Sequence, residues 1–220
     1  MSKVDVVIEA TAKRAFASAV AWPGWCRRGT DEADALETLL SSADRYRAAL
    51  GSLTETLKFP RRIDLVVVER LEGNATTDFG APARPPSSDR DPVTPAELRR
   101  LTTLLRAAWA TFDDAYAHTR TELRSGPRGG GRDLDAIRAH VAEAEHAYLT
   151  KLGGTQPAQD ASARMRALRE AFLEAAEARA RGEIDDTGPR GGVRWTAPEA
   201  IRRSAWHALD HAWEIEDRRT

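Results

Sequence analysis

The hydrophobic pattern changes along the chain from short β-type runs to long helical stripes. Runs rich in β-branched residues at 4–9 and 63–69 are typical of strands, and the alanine-rich run 15–20 is a third candidate. Residues 30–50 carry apolar side chains at helical spacing behind an acidic first turn. The pattern predicts a small α/β unit over residues 1–72.

The remainder of the chain has a different organisation. Residues 73–93 are rich in proline, glycine, serine and aspartate and lack periodicity, which indicates a linker. Four amphipathic stripes follow, and two of them open with a Thr-x-x-Glu capping box at Thr94 and Thr196. The four predicted helices begin near residues 94, 133, 161 and 196. Residues 94–220 are therefore predicted to form a four-helix bundle, which makes the fold class α+β.

Composition excludes several classes of protein. The chain has 33 basic and 34 acidic residues, and this balance speaks against a nucleic-acid partner. Cys26 is the only cysteine, which excludes an internal disulfide and a cysteine-based zinc site. No apolar run approaches the length of a membrane span, and the N-terminus lacks the layout of a signal peptide. We therefore expect a cytoplasmic protein with no membrane partner.

A pair of histidines on the fourth predicted helix is the main candidate for chemistry. His207 and His211 are four residues apart, so on a helix their side chains lie on one face and can hold one borderline metal ion. His140 lies at the edge of the apolar face of the second helix. His146 is rotated by about 120° from it and is expected in solvent, and His118 is expected on the surface. The candidate ligands are His140, His207 and His211.

Two carboxylates accompany the pair. Asp210 and Glu214 have the spacing of ordinary solvated helix charges, and the functional alternative is a carboxylate that orients an imidazole or acts as an acid or base. His207 leans toward the polar side of its helix, which predicts a site at an open end of the bundle. Ala208 occupies the position where a zincin motif requires a glutamate, so that class is excluded.

The helical part resembles the DinB/YfiT-like superfamily. The resemblance is carried by Asp-Ala-Ile-Arg-Ala-His-Val-Ala-Glu-Ala-Glu at 135–145 and Arg-Ser-Ala-Trp-His-Ala-Leu-Asp-His at 203–211. It implies a bundle with an up-down-down-up connection and a divalent-metal site formed by His140, His207 and His211. It also implies a homodimer in many members.

The same resemblance suggests an activity. Characterised members include thiol transferases that use bacillithiol or mycothiol, maleylpyruvate isomerases, and proteins described as metal-dependent hydrolases. We expect an enzyme with a small-molecule substrate, in which a divalent metal, zinc or nickel being favoured, activates a low-molecular-weight thiol as thiolate. Two alternatives stay open: a hydrolase that uses metal-bound water, and a non-catalytic binding or scaffold protein. A chain rich in alanine and arginine with only four lysines fits a high-GC bacterium, in which mycothiol is plausible.

Two further features belong to the sequence alone. Residues 15–24 and 29–33 are similar to HicB-type antitoxin domains, which suggests a regulator as a third idea, but the even charge of this part opposes direct nucleic-acid binding. The loops at 126–130 and 188–192 share the sequence Gly-Pro-Arg-Gly-Gly. Arg128 and Arg190 in these loops are candidates for contacting an anionic substrate, although an exposed solubilising charge is the favoured interpretation.

Overall fold

The computed structural model describes residues 2–120, 122–125, 131–155, 157 and 164–219. Within these residues the chain is mixed α+β, with eight α-helices and one four-stranded mixed sheet. It divides into two compact units, Met1–Asp89 (the sheet unit) and Arg90–Thr220 (the helical unit). None of the described helices combines the length and apolar character needed to cross a bilayer.

The sheet unit is built around its first strand. The strands are β1 (Ser2–Ala10), β2 (Ala15–Ala19), β3 (Cys26–Gly29) and β4 (Ile63–Glu72). They lie in the order β3-β2-β1-β4, and β1 pairs antiparallel with β2 and parallel with β4. The three predicted strands are confirmed. β3 was not predicted because Cys-Arg-Arg-Gly carries no alternation of apolar and polar residues.

The predicted helix over residues 30–50 is divided in two. The helices of the sheet unit are α1 (Glu32–Ser41), α2 (Ala43–Leu50), α3 (Leu53–Thr56) and α4 (Ala75–Phe79). The break falls at Ser42, whose hydroxyl donates to the Leu39 carbonyl at 2.7 Å and accepts from Trp25 Nε1 at 3.0 Å. The sequence predicts Thr30 as the cap of this helix, but Asp31 caps α1 through its side chain.

Aromatic side chains fill the core of the sheet unit. The rings of Trp25 and Tyr46 stack with centroids 5.6 Å apart, and Phe59 packs against both. Gly29 ends β3 where the backbone of α1 comes close, and a Cβ there would lie 2.2 Å from the nitrogen of Ala35. The glycine in the HicB-like run is thus required by the close approach of strand and helix.

Residues 73–89, which the pattern assigned to a linker, pack in the sheet unit. Glu9 on β1 is buried and accepts the backbone N–H groups of Ala83 and Arg84 at 2.8 Å, together with the hydroxyl of Thr77. These hydrogen bonds satisfy the charge of a carboxylate removed from water. A segment held by backbone hydrogen bonds to one buried side chain has no apolar period, which is why the pattern suggested a linker.

Four long helices form the helical unit. They are α5 (Pro95–Ala117), α6 (Leu134–Leu152), α7 (Arg164–Ala180) and α8 (Ala197–Arg218). Thr94, Asp133 and Thr196 cap three of them through their side chains, and the caps at Thr94 and Thr196 are the two that the sequence pattern predicts. α8 packs against each of the other three helices. It therefore fixes the side chains of the helical unit relative to one another.

A buried charge cluster connects three of these helices. Arg169 of α7 donates to Glu145 of α6 at 3.1 Å and to Asp113 of α5 at 2.7 Å, and its guanidinium lies 5.1 Å from the ring centre of Trp109. Glu145 is only 2% exposed. Burial raises the pKa of Glu145 to about 7, although the guanidinium of Arg169 opposes the shift.

This shift predicts that the helical unit loses stability as the pH rises from about 5 to 8. The unfolded carboxyl ionises near pH 4.5, so between the two pKa values the unfolded state binds fewer protons than the folded state. Glu145 alone should lower the free energy of unfolding by about 2–3 kcal/mol over this interval. Urea unfolding at pH 5 and pH 8, followed by circular dichroism, measures the change.

The Glu145→Gln variant removes the titrating group. Its unfolding free energy should therefore fall less between the two pH values than that of the wild type. Glu174→Gln, an exposed position on α7, serves as the matched control and should keep the wild-type slope. Equal slopes for all three proteins would show that Glu145 ionises in the folded state as readily as in the unfolded state.

Candidate metal centre

Three histidines of the helical unit converge on one point. His140 lies on α6, and His207 and His211 lie on α8. One ring nitrogen from each lies within 4.8 Å of the other two, and the Nε2 atoms of His140 and His207 are 3.3 Å apart. In the described part of the chain, no other group of three histidine, cysteine or acidic side chains has this geometry.

The helical repeat explains the convergence. His207 and His211 are one helical turn apart, and their ring centroids are separated by 4.6 Å. His140 lies beside the fully buried Ile137 and Val141, on the edge of the face that α6 turns toward its neighbours. Its ring centroid lies 5.0 Å from that of each α8 histidine. Packing of α6 on α8 therefore brings the third imidazole to the pair.

His207 is more buried than its helix pattern indicates. It is 7% exposed and His211 is 9% exposed, so the expectation that His207 leans toward solvent is wrong. The rings of Tyr148 and Trp206 each lie 5.9 Å from the His207 ring, and Tyr148 stacks on Trp195. Tyr148 and Trp195 come from distant parts of the sequence, so the position of His207 on α8 alone does not reveal this cover.

The surroundings keep two of the imidazoles neutral. Burial holds the pKa of His207 well below 6.5, and the neighbouring His211 and His140 lower it further. Burial and His211 also lower the pKa of His140. A neutral imidazole keeps the nitrogen lone pair that a metal ion requires. The Nδ1 atom of His207 is buried and has no hydrogen-bond partner among the described residues.

Glu214 orients the third imidazole. Its carboxylate lies 2.8 Å from His211 Nδ1, and its other oxygen accepts from Arg218 Nη1 at 2.7 Å. The hydrogen bond from His211 lowers the pKa of Glu214, and Arg218 adds to the effect, so the carboxylate is ionised. An anionic acceptor at Nδ1 favours the tautomer with its proton on Nδ1, which leaves the Nε2 lone pair toward the other two rings.

The other polar candidates do not join the cluster. Asp210 is half-buried on α8 and is not part of the three-histidine group in the described residues. His118 is exposed, as expected, and His146 is half-buried rather than fully in solvent. Cys26 is buried in the core of the sheet unit.

The structure describes only the second of the two glycine-rich loops, at residues 188–192. Arg128 lies outside the described residues. Arg190 is exposed in a hairpin that precedes α8, in which Thr187 pairs with Val193 and the Gly188 N–H donates to the Gly192 carbonyl at 2.8 Å. This exposure agrees with the solubilising interpretation of Arg190.

A cavity of about 550 Å³ lies beside Arg218, the residue that binds Glu214. Its wall includes Thr119 near the end of α5, Arg132 and Asp133 before α6, and Arg218 of α8. Arg218 also donates to the backbone carbonyls of Arg124 and Arg132, at 2.8 and 2.9 Å. The cavity thus reaches the group that holds Glu214, while the histidines themselves are not part of its wall.

Arg203, Tyr148 and Arg218 lie near the histidines but were not predicted as site residues. Arg203 precedes His207 by four residues, and Arg218 follows Glu214 by four, so both lie on the strip that carries the histidines. That spacing was a usable signal. Tyr148 lies among the apolar positions of α6, and a single sequence does not show which apolar residue of a helix faces a site.

The residues fit a borderline divalent metal ion. Tetrahedral zinc with bonds of about 2.0–2.1 Å places two nitrogen ligands about 3.3–3.4 Å apart. The 3.3 Å between His140 Nε2 and His207 Nε2 matches this spacing, and the remaining separations, all within 4.8 Å, require side-chain adjustments of about 1 Å. Three imidazole ligands favour zinc, nickel or iron over magnesium or calcium, which prefer oxygen ligands.

Comparison with known proteins leaves the site to be judged on its own geometry. No protein-family model, no curated protein and no solved structure matches this chain.

The geometry predicts that zinc or cobalt stabilises the purified protein. An ion present at 100 times its dissociation constant should add about 2.7 kcal/mol to the stability of the state that binds it, and raise the melting temperature by several degrees. Differential scanning calorimetry with and without the metal measures the shift. His207→Ala should abolish it, and His146→Ala, which changes a histidine outside the cluster, should retain it. A shift that survives in His207→Ala would place the ion elsewhere.

Glu214→Gln should weaken metal binding without removing a ligand. A neutral amide polarises the His211 ring less and pairs less strongly with Arg218, so we expect a loss of about 10- to 100-fold in affinity. Competition against a chromogenic zinc chelator gives the dissociation constants, with Glu174→Gln as the control. An unchanged affinity would mean that the hydrogen bond to His211 has no part in binding.

Proposed function

We propose that this chain is a divalent-metal-binding protein of the DinB/YfiT-like type and acts as an enzyme on a small thiol. In this proposal α5 to α8 form the up-down-down-up bundle of that superfamily. His140, His207 and His211 would hold zinc or nickel. The whole thiol, as thiolate, adds through its sulfur to the electrophilic carbon of a small substrate, and the thiol proton ends on the adduct. When the addition is reversible, it assists isomerisation of the substrate.

The observation that carries the proposal is the convergence of two buried imidazoles and one half-buried imidazole, one of them oriented by a carboxylate. Three protein ligands leave a tetrahedral ion one position for an exogenous group, whereas structural zinc sites use four protein ligands. His140, His207 and His211 supply the three nitrogens, and no fourth histidine, cysteine or acidic side chain of the described residues belongs to the cluster. The count supports a site that accepts a ligand from solution.

The residues around the centre have separate roles in this proposal. A divalent ion at the centre would lower the pKa of a thiol and so favour the nucleophilic thiolate form. Glu214 keeps His211 in the tautomer that presents Nε2, and Arg218 keeps Glu214 ionised. Tyr148 and Trp206 cover His207 and limit the access of water from that side. An aromatic wall of this kind suits a soft, weakly hydrated sulfur better than a strongly hydrated oxygen nucleophile.

Cobalt substitution tests the thiol role directly. The protein is loaded with cobalt and titrated with 2-mercaptoethanol, cysteamine and 3-mercaptopropionate. We expect at least one thiol to produce a saturable sulfur-to-cobalt charge-transfer band in the near-ultraviolet spectrum. The His207→Ala variant should not produce the band, and His146→Ala should produce it unchanged.

Cobalt binding without a thiol band would contradict the proposal. If cobalt binds to the three histidines and none of the thiols gives a band, the thiol role is contradicted. Hydrolysis of p-nitrophenyl acetate by the zinc-loaded protein, lost in His207→Ala, would then favour the hydrolase alternative. Bound metal with neither property would favour the non-catalytic alternative.

A further inference from the structure

Two buried donors of Arg203 have no hydrogen-bond acceptor among the described residues, while its guanidinium interacts with Tyr148. It lies one helical turn before His207 on α8, and its Nε and Nη1 atoms are buried without a hydrogen-bond partner in the described part of the chain. Its guanidinium carbon is 4.9 Å from the ring centre of Trp206 and 6.0 Å from that of Tyr148. These are the same two rings that cover His207.

Arg169 and Arg218, two buried arginines of the helical unit, have hydrogen-bond acceptors. Arg169 donates to Glu145 and Asp113, and Arg218 donates to Glu214 and to two backbone carbonyls. A buried donor without an acceptor costs about 1–3 kcal/mol, so such groups are rare unless another demand maintains them. Arg203 departs from the pattern at the position next to the candidate metal centre.

Shared contacts place the guanidinium close to the centre. The guanidinium carbon lies 6.0 Å from the ring centre of Tyr148, and the His207 ring centre lies 5.9 Å from the same ring. Residues four apart on a helix have neighbouring side chains, with Cβ atoms about 6 Å apart. A small molecule with one end at the three histidines therefore has its other end within reach of Arg203.

We propose that Arg203 binds the carboxylate of the small substrate or thiol that occupies the three-histidine centre. The proposal rests on the proposed function and specifies the class of its ligand: a molecule with a sulfur and a carboxylate separated by two or three carbons. One carboxylate balances the single guanidinium charge and supplies acceptors for the buried N–H groups. The neighbouring rings of Trp206 and Tyr148 exclude water from the guanidinium and strengthen the ion pair.

A paired thiol titration tests this assignment. 3-Mercaptopropionate and 2-mercaptoethanol are compared on cobalt-loaded wild type, Arg203→Met and the control Arg106→Met, which changes an exposed arginine on α5. The wild type and the control should bind the carboxylate thiol more tightly by roughly 10- to 100-fold, the range expected of a charge-assisted hydrogen bond. Arg203→Met should lose this preference while keeping its affinity for 2-mercaptoethanol. Equal preference in wild type and Arg203→Met would overturn the assignment.

A second measurement separates this proposal from the proposed function. Metal-free protein is melted in acetate and in inorganic phosphate at matched ionic strength. Acetate should raise the melting temperature of the wild type and of Arg106→Met, and should not raise that of Arg203→Met. Protection by acetate with no thiol band supports the role of Arg203 and contradicts the thiol function. Thiol bands without acetate protection and without a preference for the carboxylate thiol support the thiol function and contradict the role of Arg203. Protection by phosphate alone contradicts the assignment of a carboxylate to Arg203.

The stability of the variant without ligand gives a third readout. Methionine keeps the apolar contact with Trp206 and Tyr148 and removes the unpaired donors. Arg203→Met should therefore melt at or above the wild-type temperature, whereas an arginine with a structural role would give a lower value. If Arg203→Met does not fold, a structural role is indicated. Arg203→Lys then still tests the preference between the two thiols, which should be reduced and not lost.

Discussion

The candidate site depends on the repeat of one helix. Steps of three and four residues along α8 return to the same side of the helix, so His207, His211 and Glu214 form one strip. Arg203 and Arg218 extend the strip at its two ends. α8 also packs against each of the other three long helices, so the strip is held in a fixed position and His140 of α6 lies across from it. A change of register in α8 by one residue would separate every member of the site at once.

Two kinds of buried polar group occur in the helical unit: groups that are paired with one another, and groups near the candidate centre with atoms that have no hydrogen-bond partner in the described part of the chain. Glu145 and Arg169 are paired, and Asp113 completes the pairing, so they contribute to the specificity of helix packing. The Nδ1 atom of His207 and two nitrogens of Arg203 have no such partner among the described residues. Natural sequences depart from local satisfaction mainly where function requires it, and these atoms lie together at the candidate centre.

Much of the fold and part of the site follow from the sequence. The capped helices α5 and α8 and the strands β1, β2 and β4 were recognisable because their periodicity and caps are local signals. The meeting of the three histidines also follows, because His140 lies at the edge of an apolar stripe.

Other features depend on contacts between distant residues and could not be predicted. Ser42 divides a helix at the point where Trp25, far from it in sequence, donates to its hydroxyl. Glu145 occupies a buried position only because Arg169 of another helix reaches it. The burial of His207 depends on Tyr148 of α6. The hydrophobic pattern of one helix does not show which residue of another helix packs against it.

A crystal of the zinc-loaded protein, measured at the zinc absorption edge, tests the central claim most directly. The account predicts one anomalous peak at about 2.0–2.1 Å from one ring nitrogen of each of His140, His207 and His211, with a non-protein ligand completing the coordination. An anomalous peak at another set of residues, or three imidazoles turned away from one another with no peak between them, would contradict it.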